Sequence, residues 1–416
     1  MFQLPRRAAR RPATHAGGSL TRIAAALLLA HAAAFANDEP AGGPQGVNVE
    51  ASLTGVVQRL NAAGSVDGRA QSHSSLRGDI NLGWHAGALA PLHTTLFGHL
   101  RFGRGAGVGL RPSHTSSVNS SAFGTGDADQ DRRAILAQAG VALKLPLPGY
   151  AAEHETSRWL ELTTGKLDPF VYFDQNAIAD DETTRFLNNA LVHNPLLDSG
   201  GDTGADIHGF SPGLRVAWAS AHDGEPRVGV SIGVFGAGDD TRLSGSPSNN
   251  FVIAQLDAAP QLLAERSGTV RLVAWRNGRA ADFDGTPAPH SGWGVSLDQQ
   301  LSEHWTVSAR WGRQRSGQMR FDRALTLAAE TAGAAWGRLD DAVGLGVALL
   351  RTSAAYRAHA GPGAASGSER IAELYYRFTL NQYAQFGPDL QVIRRPGGAA
   401  AEGSVKALGL RLKLTL

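Results

Sequence analysis

The side chains that could do chemistry in this chain are 14 histidines, 37 acids, 39 basic residues and many serines, with no cysteine. Without a thiol, a Cys nucleophile, a thiolate metal site and a disulfide framework are all excluded. Counting alone leaves a Ser-His-Asp triad open. No nucleophile elbow, the Gly-x-Ser-x-Gly turn between a strand and a helix, is expected, and no His-Glu-x-x-His zinc motif occurs. Asp198, Asp202 and Asp206 stand four apart in a glycine-rich stretch. They miss the EF-hand calcium pattern and fit a solvated turn better. His85 and His99 fall on the polar faces of candidate strands and need no metal. The expectation is a chain with no catalytic residues, no metal and no cofactor.

The elements that would position such residues are strands. Val47, Val49, Ala51 and Leu53 alternate with Asn48, Glu50, Ser52 and Thr54. The same period of two recurs at Ile80-Leu82-Trp84, Leu96-Leu100-Phe102, Val228-Val230-Ile232-Val234 and Trp305-Val307-Ala309-Trp311. It is clearest at Leu408, Leu410, Leu412, Leu414 and Leu416, set against Gly409, Arg411, Lys413 and Thr415. Such a period puts one set of side chains on each face of a strand. A soluble sandwich would alternate too, but here the polar face carries glycine, arginine and acids, and aromatics gather toward segment ends as membrane girdles require.

Composition agrees. The chain has 416 residues, 51 of them glycine, is 42% hydrophobic and 18% charged, and has a mean hydropathy of −0.18, which excludes a disordered chain and a bundle of membrane helices. The glycines lack a Gly-X-Y period, which excludes collagen, and they suit strands that coil around a closed cylinder. The basic start (Arg6, Arg7, Arg10, Arg11, Arg22), the apolar run Ile23–Ala30 and the small-x-small site Ala34-Phe35-Ala36 have the three parts of a cleavable signal peptide over residues 1–36. Setting those five arginines aside leaves 34 basic against 37 acidic residues, a mildly acidic body with no nucleic-acid footprint.

After a short lead at 37–46, residues 47–416 supply about sixteen such segments, roughly 24 residues per strand with its connection, which fits an all-β transmembrane antiparallel barrel wide enough for an aqueous channel. Residues 111–132, 236–250 and 359–369 are expected to be polar loops, the first of them mobile. Residues 168–212 are a longer insertion with a helical piece starting at Asp180-Asp181-Glu182, carrying Phe186, Leu187, Ala190 and Leu191, and ending at Asn194-Pro195. Such an insertion either folds into the lumen or lies on the outer surface.

The run Gly165-Lys166-Leu167-Asp168, then Tyr172-Phe173-Asp174-Gln175-Asn176 and Asp181-Glu182-Thr183-Thr184-Arg185-Phe186-Leu187-Asn188, resembles the carbohydrate-selective porin (OprB-like) family of Gram-negative outer membranes. The resemblance continues in order through Gly268–Trp275, Gly292–Gln300, Glu373–Phe378, Pro388–Gln391, Arg395–Gly398 and Gly409–Leu412. It implies a sixteen-stranded barrel giving passive diffusion of sugars or other small polar solutes through a lumen narrowed by inward-folded loops. The chain departs from relatives that carry an N-terminal wall-binding domain and from barrels that end in an aromatic residue, since it ends in Leu416.

The resemblance places the candidate constriction in the central insertion, at Lys166, Asp168, Asp174, Asn176, Asp181, Glu182, Arg185, Asn188 and Asn189. Strand phase adds Arg310, Glu373 and Arg377 on the lumenal side. Asp181 and Glu182 could equally cap a helix, and Asn188 could tie the loop to the wall. Apart from Lys144, Lys166, Lys406 and Lys413 the basic residues are all arginine, whose planar fork suits a pore lining set against carboxylates, although a compositional habit would give the same excess. Trp275 and Trp293 are expected in the interfacial girdle. The partners implied are outer-membrane lipid, small sugars or polar solutes, the barrel-assembly machinery and a homotrimer. The alternatives are a general or inorganic-ion porin of the same fold, a plugged structural barrel, and an outer-membrane hydrolase.

Overall fold

The structure is a computed structural model that describes residues 46–416 except 90–91, 112–114, 124–131, 149–155, 199–201, 223–224, 261–262, 264–265 and 362–366. The expected signal peptide lies outside the described residues, as does all but the last residue of the lead. Sixteen strands follow one another: β1 (Gly46–Leu60), β2 (Gln71–Leu89), β3 (Leu92–Arg104), β4 (Arg132–Leu147), β5 (Thr156–Leu167), β6 (Ser211–His222), β7 (Glu225–Phe235) and β8 (Phe251–Ala258). The second half comprises β9 (Gly268–Ala281), β10 (Pro287–Gln300), β11 (Trp305–Ser316), β12 (Phe321–Gly333), β13 (Arg338–Thr352), β14 (Ser368–Asn381), β15 (Ala384–Arg394) and β16 (Val405–Thr415).

Each strand pairs antiparallel with its sequence neighbours, and β1 pairs with β16, so the sheet closes. Closure is what a lipid environment demands, because every unpaired backbone N–H or C=O in hydrocarbon costs several kcal/mol and a closed barrel has no edge. The alternation sets the two faces. Along β16, Leu408, Leu410, Leu412 and Leu414 point outward and are exposed, whereas Ala407 and Arg411 point in and are buried.

The connections β1–β2, β3–β4, β5–β6 and onward in alternation, including residues 168–210, lie at one end of the barrel, and the shorter turns lie at the other. That asymmetry marks the long-loop end as extracellular. Near the short-turn end Trp84, Trp305, Trp336 and Tyr383 are exposed on the outer face, and Phe378 stacks on Phe386 at 4.8 Å, giving the expected girdle. Trp293 joins the outer face against Trp311. Trp275 does not. It points inward, is 3% exposed, and donates its indole N–H to Asp202 at 2.7 Å.

Two other expectations change. The helix in the insertion is one turn, α1 (Asn189–Val192), and starts not at Asp180–Glu182 but at Asn188, whose side chain accepts from the Ala190 N–H. Asp181 instead closes a separate turn, accepting from the Thr183 N–H and hydroxyl at 2.8 and 2.6 Å. Of the stretch expected to be a mobile loop, residues 115–123 are packed in the lumen: Val118 is buried, and its carbonyl receives Gln58 of β1 and Gln391 of β15 at 2.8 and 2.9 Å. A second helix, α2 (Ala354–Ala360), opens the β13–β14 connection, capped by Ser353. Among the described residues no helix is long and apolar enough to cross a membrane.

Candidate pore constriction

Residues 168–210 enter the barrel directly from β5. Asp168 accepts from the Phe170 N–H at 2.9 Å and begins a short 3-10 turn at Pro169–Val171, which tips the chain inward. Burial pushes the Asp168 carboxyl above its ordinary range. The loop then crosses the lumen on an apolar keel of Phe173, Phe186, Leu187, Leu191, Leu196 and Leu197, all buried. Wall glycines provide the landing. A Cβ on Gly346 would meet Leu191 and Phe186 at 2.7 and 2.9 Å, and one on Gly294 or Gly312 would meet Asn194.

Three polar anchors fix the loop. Arg310 of β11 donates to the carbonyls of Leu191, Asp174 and Ala179 at 3.2, 2.9 and 2.7 Å, and its Nε lies 3.2 Å from the Asp174 carboxylate. Glu373 of β14 accepts from the N–H groups of Leu187 and Asn188 at 2.5 and 2.9 Å. Asp202 accepts from Trp275 and Gln314 at 2.7 Å each and lies 2.7 Å from His290 Nδ1. It is fully buried, so the solvated turn expected at Asp198–Asp206 is at this residue a structural hub.

Around the loop the inward face carries paired charges. Arg77 and Arg101 flank Asp79 on β2 and β3, and Arg77 also meets Glu182 of the loop. Arg215 pairs with Glu161 at 2.5 Å, and Arg271 bridges Asp298 at 2.5 Å and Asp257 at 3.5 Å. Opposite them Glu330 lies between Arg185 at 3.3 Å and Arg377 at 3.5 Å. Tyr172 of the loop sits under the Arg215 guanidinium, 5.0 Å from centroid to carbon.

This geometry can be set beside known proteins. The description "Carbohydrate-selective porin, OprB family" belongs to the family whose model matches residues 258–416. The chain has the sixteen-stranded barrel fold of the porins. Among solved structures, OprB of Pseudomonas putida is 18% identical with a TM-score of 0.70, covering 89% of this chain and 94% of that one. An anion-selective porin from Comamonas acidovorans is 12% identical with a TM-score of 0.52, covering 90% and 100%. A loop-deletion mutant of OmpT from Vibrio cholerae is 9% identical with a TM-score of 0.52, covering 90% and 100%. No curated protein sequence matches.

The barrel distributes the expected constriction residues between two environments. Asp174, Asn188, Arg310 and Glu373 are nearly sealed from water and hold loop to wall; Asp181 closes its turn; Asn189 accepts from Ser120 of the second inward loop at 3.2 Å. Asn176 is 3% exposed. Lys166, paired with Asp206 at 3.1 Å, keeps 35% of its side chain exposed, and Glu182, Arg185 and Arg377 keep 17%, 18% and 16%. The lumenal charges Arg77, Asp79, Arg101, Glu161, Arg215, Asp257, Arg271, Asp298, Glu330 and Arg411 were missed by sequence reasoning. Their signal is parity alone, a charged residue in phase with the polar face of its strand.

The Gly-x-Ser-x-Gly string itself occurs twice in the chain, at 209–213 and 229–233, contrary to expectation. Ser211 opens β6 and Ser231 lies inside β7, so neither stands on a strand-to-helix turn. Among the described residues no group of three His, Cys, Asp or Glu is placed to hold a metal.

His193 follows α1, stacks on Phe170 at 4.0 Å and lies 2.8 Å from the Asp198 carboxylate. Burial opposes its charge, but the Asp198 hydrogen bond and charge outweigh burial and raise its pKa above the ordinary value of 6.5. A raised folded-state value means the contact contributes fully below that ordinary value and is lost as pH rises through the elevated one. Channel noise and protease cleavage at the loop should therefore increase as pH is raised above neutral. A His193→Gln variant should show no such rise; an unchanged pH profile in that variant removes His193 from the account.

Proposed function

We propose that the porin passes hydroxylated solutes, sugars foremost, between its central loop and the charged wall, and that the partly exposed ends of Lys166, Glu182, Arg185 and Arg377, with Arg101, Arg215, Arg271, Asp257 and Glu330, contact them. The observation that carries this reading is the arrangement of guanidinium forks against carboxylates, with Tyr172 beneath Arg215. Sugar hydroxyls need donors and acceptors side by side, and a pore must replace part of their hydration without holding them. The family match over residues 258–416 supports sugars as the solute class.

The test is unitary conductance in planar bilayers with added glucose, maltose or succinate. Glucose or maltose should block the open steps. Arg185→Ala should change that block and leave the barrel folded, because the loop backbone at Arg185 is held by Arg411, which donates to the Arg185 carbonyl at 2.5 Å. Burial works against the Arg185 charge, but Glu330 outweighs it, so the guanidinium stays protonated and its removal shifts ion selectivity as well. Open steps indifferent to both sugars would discard the sugar reading. A reversal potential favouring anions would then assign small anions to the arginine-lined path.

A further inference from the structure

The outer wall carries a second charge pattern, away from the lumen. On the middle of β11 to β15 the outward-facing residues are apolar or small, and at the loop-side end each strand places an arginine: Arg313, Arg323, Arg351, Arg370 and Arg394. Lys406 of β16 and Arg59 of β1 continue the row, each within three residues of its strand's loop-side end. Arg323 pairs in register with both Arg313 and Arg351, and Arg370 pairs with Arg394. Like charges directly opposite one another across a ladder repel. The one outward acid on these strands among the described residues, Asp341, lies at the short-turn end and pairs with Arg338, and among the described residues the loop-side arginines have no ion-pair partner. Near the interface a single arginine costs the barrel little, so its position is tolerated; its clustering is what needs a counter-ion.

Below the arginines the same wall is grooved. Leu325, Leu327, Val347, Leu349 and Val392 border a recess of about 530 Å³ over Ala372, with Arg370 and Arg394 among its lining residues. The recess opens onto the lipid-facing side, at the extracellular half of the barrel, so its occupant is a membrane molecule with an anionic head and an apolar body.

We propose that this face is a binding site for a phosphorylated lipid of the outer leaflet, with its phosphates among Arg351, Arg370 and Arg394 and an acyl chain in the groove over Ala372. Phosphate fits the planar guanidinium fork, and several forks within one patch supply the charge the lipid lacks. The patch stops at β1, since β2 presents Ser72 and Ser74 where β1 presents Arg59, so the lipid is bound on one side of the barrel.

The test is native mass spectrometry of the porin extracted in mild detergent and titrated with bis-phosphorylated lipid A, the same lipid stripped of phosphate, or inorganic phosphate. The wild type should retain the phosphorylated lipid. The combined Arg351→Gln, Arg370→Gln and Arg394→Gln variant should bind it at least about tenfold more weakly. Ala372→Phe, which fills the groove, should also weaken it, and the corresponding triple change to lysine should keep most of the binding. Heat-modifiable mobility and unitary conductance should be unchanged in all three, which separates this result from the fate of the solute reading. Equal retention of the phosphate-free lipid, undiminished binding by the glutamine variant, or occupancy by phosphate alone would overturn the site. So would an oligomer that dissociates in the glutamine variant without any lipid bound, which would assign the face to contact between copies.

Discussion

Replacing Arg310 with alanine should release the central loop while the barrel stays closed. The guanidinium is 2% exposed, and its four contacts join three separate parts of the loop to β11. Removing it leaves the Asp174 carboxylate buried without its ion-pair partner and three carbonyls without donors. Breaking a buried pair in this way costs about 3–5 kcal/mol. The wall itself is held by ladders that do not involve the side chain, so the loss falls on the loop. The expected readouts are a larger and noisier unitary conductance, protease cleavage within residues 176–193, and wild-type heat-modifiable mobility. Arg310→Lys should not rescue, because one ammonium cannot serve three divergent carbonyls. Wild-type conductance with intact protease resistance would show that the apolar keel alone seats the loop.

Asp202→Ala should have a comparable effect at the other end of the loop. Its carboxylate gathers Trp275 of β9, His290 of β10 and Gln314 of β11, and its carbonyl receives Asn277 at 2.9 Å. Without the carboxylate, three buried polar groups lose their partner at once, each at about 1–3 kcal/mol. Cleavage should appear between residues 196 and 210, outside the segment freed by Arg310→Ala, because the two anchors hold different stretches. The double variant should add the two cleavage sites. If Asp202→Ala instead prevents a heat-modifiable barrel from forming, the hub belongs to the wall rather than to the loop.

The strands were legible because a lipid-facing surface imposes a strict rule on every second residue. Leu408 to Leu414 could alternate in no other useful way, and the outward exposure of those leucines follows it. The loop's entry into the lumen and its polar anchors were not legible to the same degree. Asp202 and Asp198 look alike in sequence, yet one is sealed against Trp275 while the other is 27% exposed beside His193. What separates them is a wall residue more than seventy positions away, which spacing cannot report. Asp180–Glu182 resembled a helix start because carboxylates suit that position. Here the Asp181 side chain bonds locally to Thr183 and Thr184, and Glu182 turns to Arg77, so the turn wins over the helix. Arg310 and Glu373 were found by parity as lumenal residues; parity cannot say whether an inward side chain meets solute or loop.

The placement of residues 182–185 bears on how the cylinder stays shut. Glu182 reaches Arg77 on β2, while its carbonyl and that of Arg185 receive Arg411 on β16, and Thr183 receives Lys413 at 2.8 Å. Between β2 and β16 lies β1, the strand that closes the circle. The segment is thus a strut across β1, binding the two strands on either side of it. To peel β1 away, the strut must give as well, so the seam is stiffer against lateral opening than its own ladder makes it. The partners are 226 and 229 positions apart, so the strut cannot be set until the last strand has arrived. The lock that this segment puts on the wall is therefore a late event in assembly, set after the contacts that hold the loop to β9–β11 can already form.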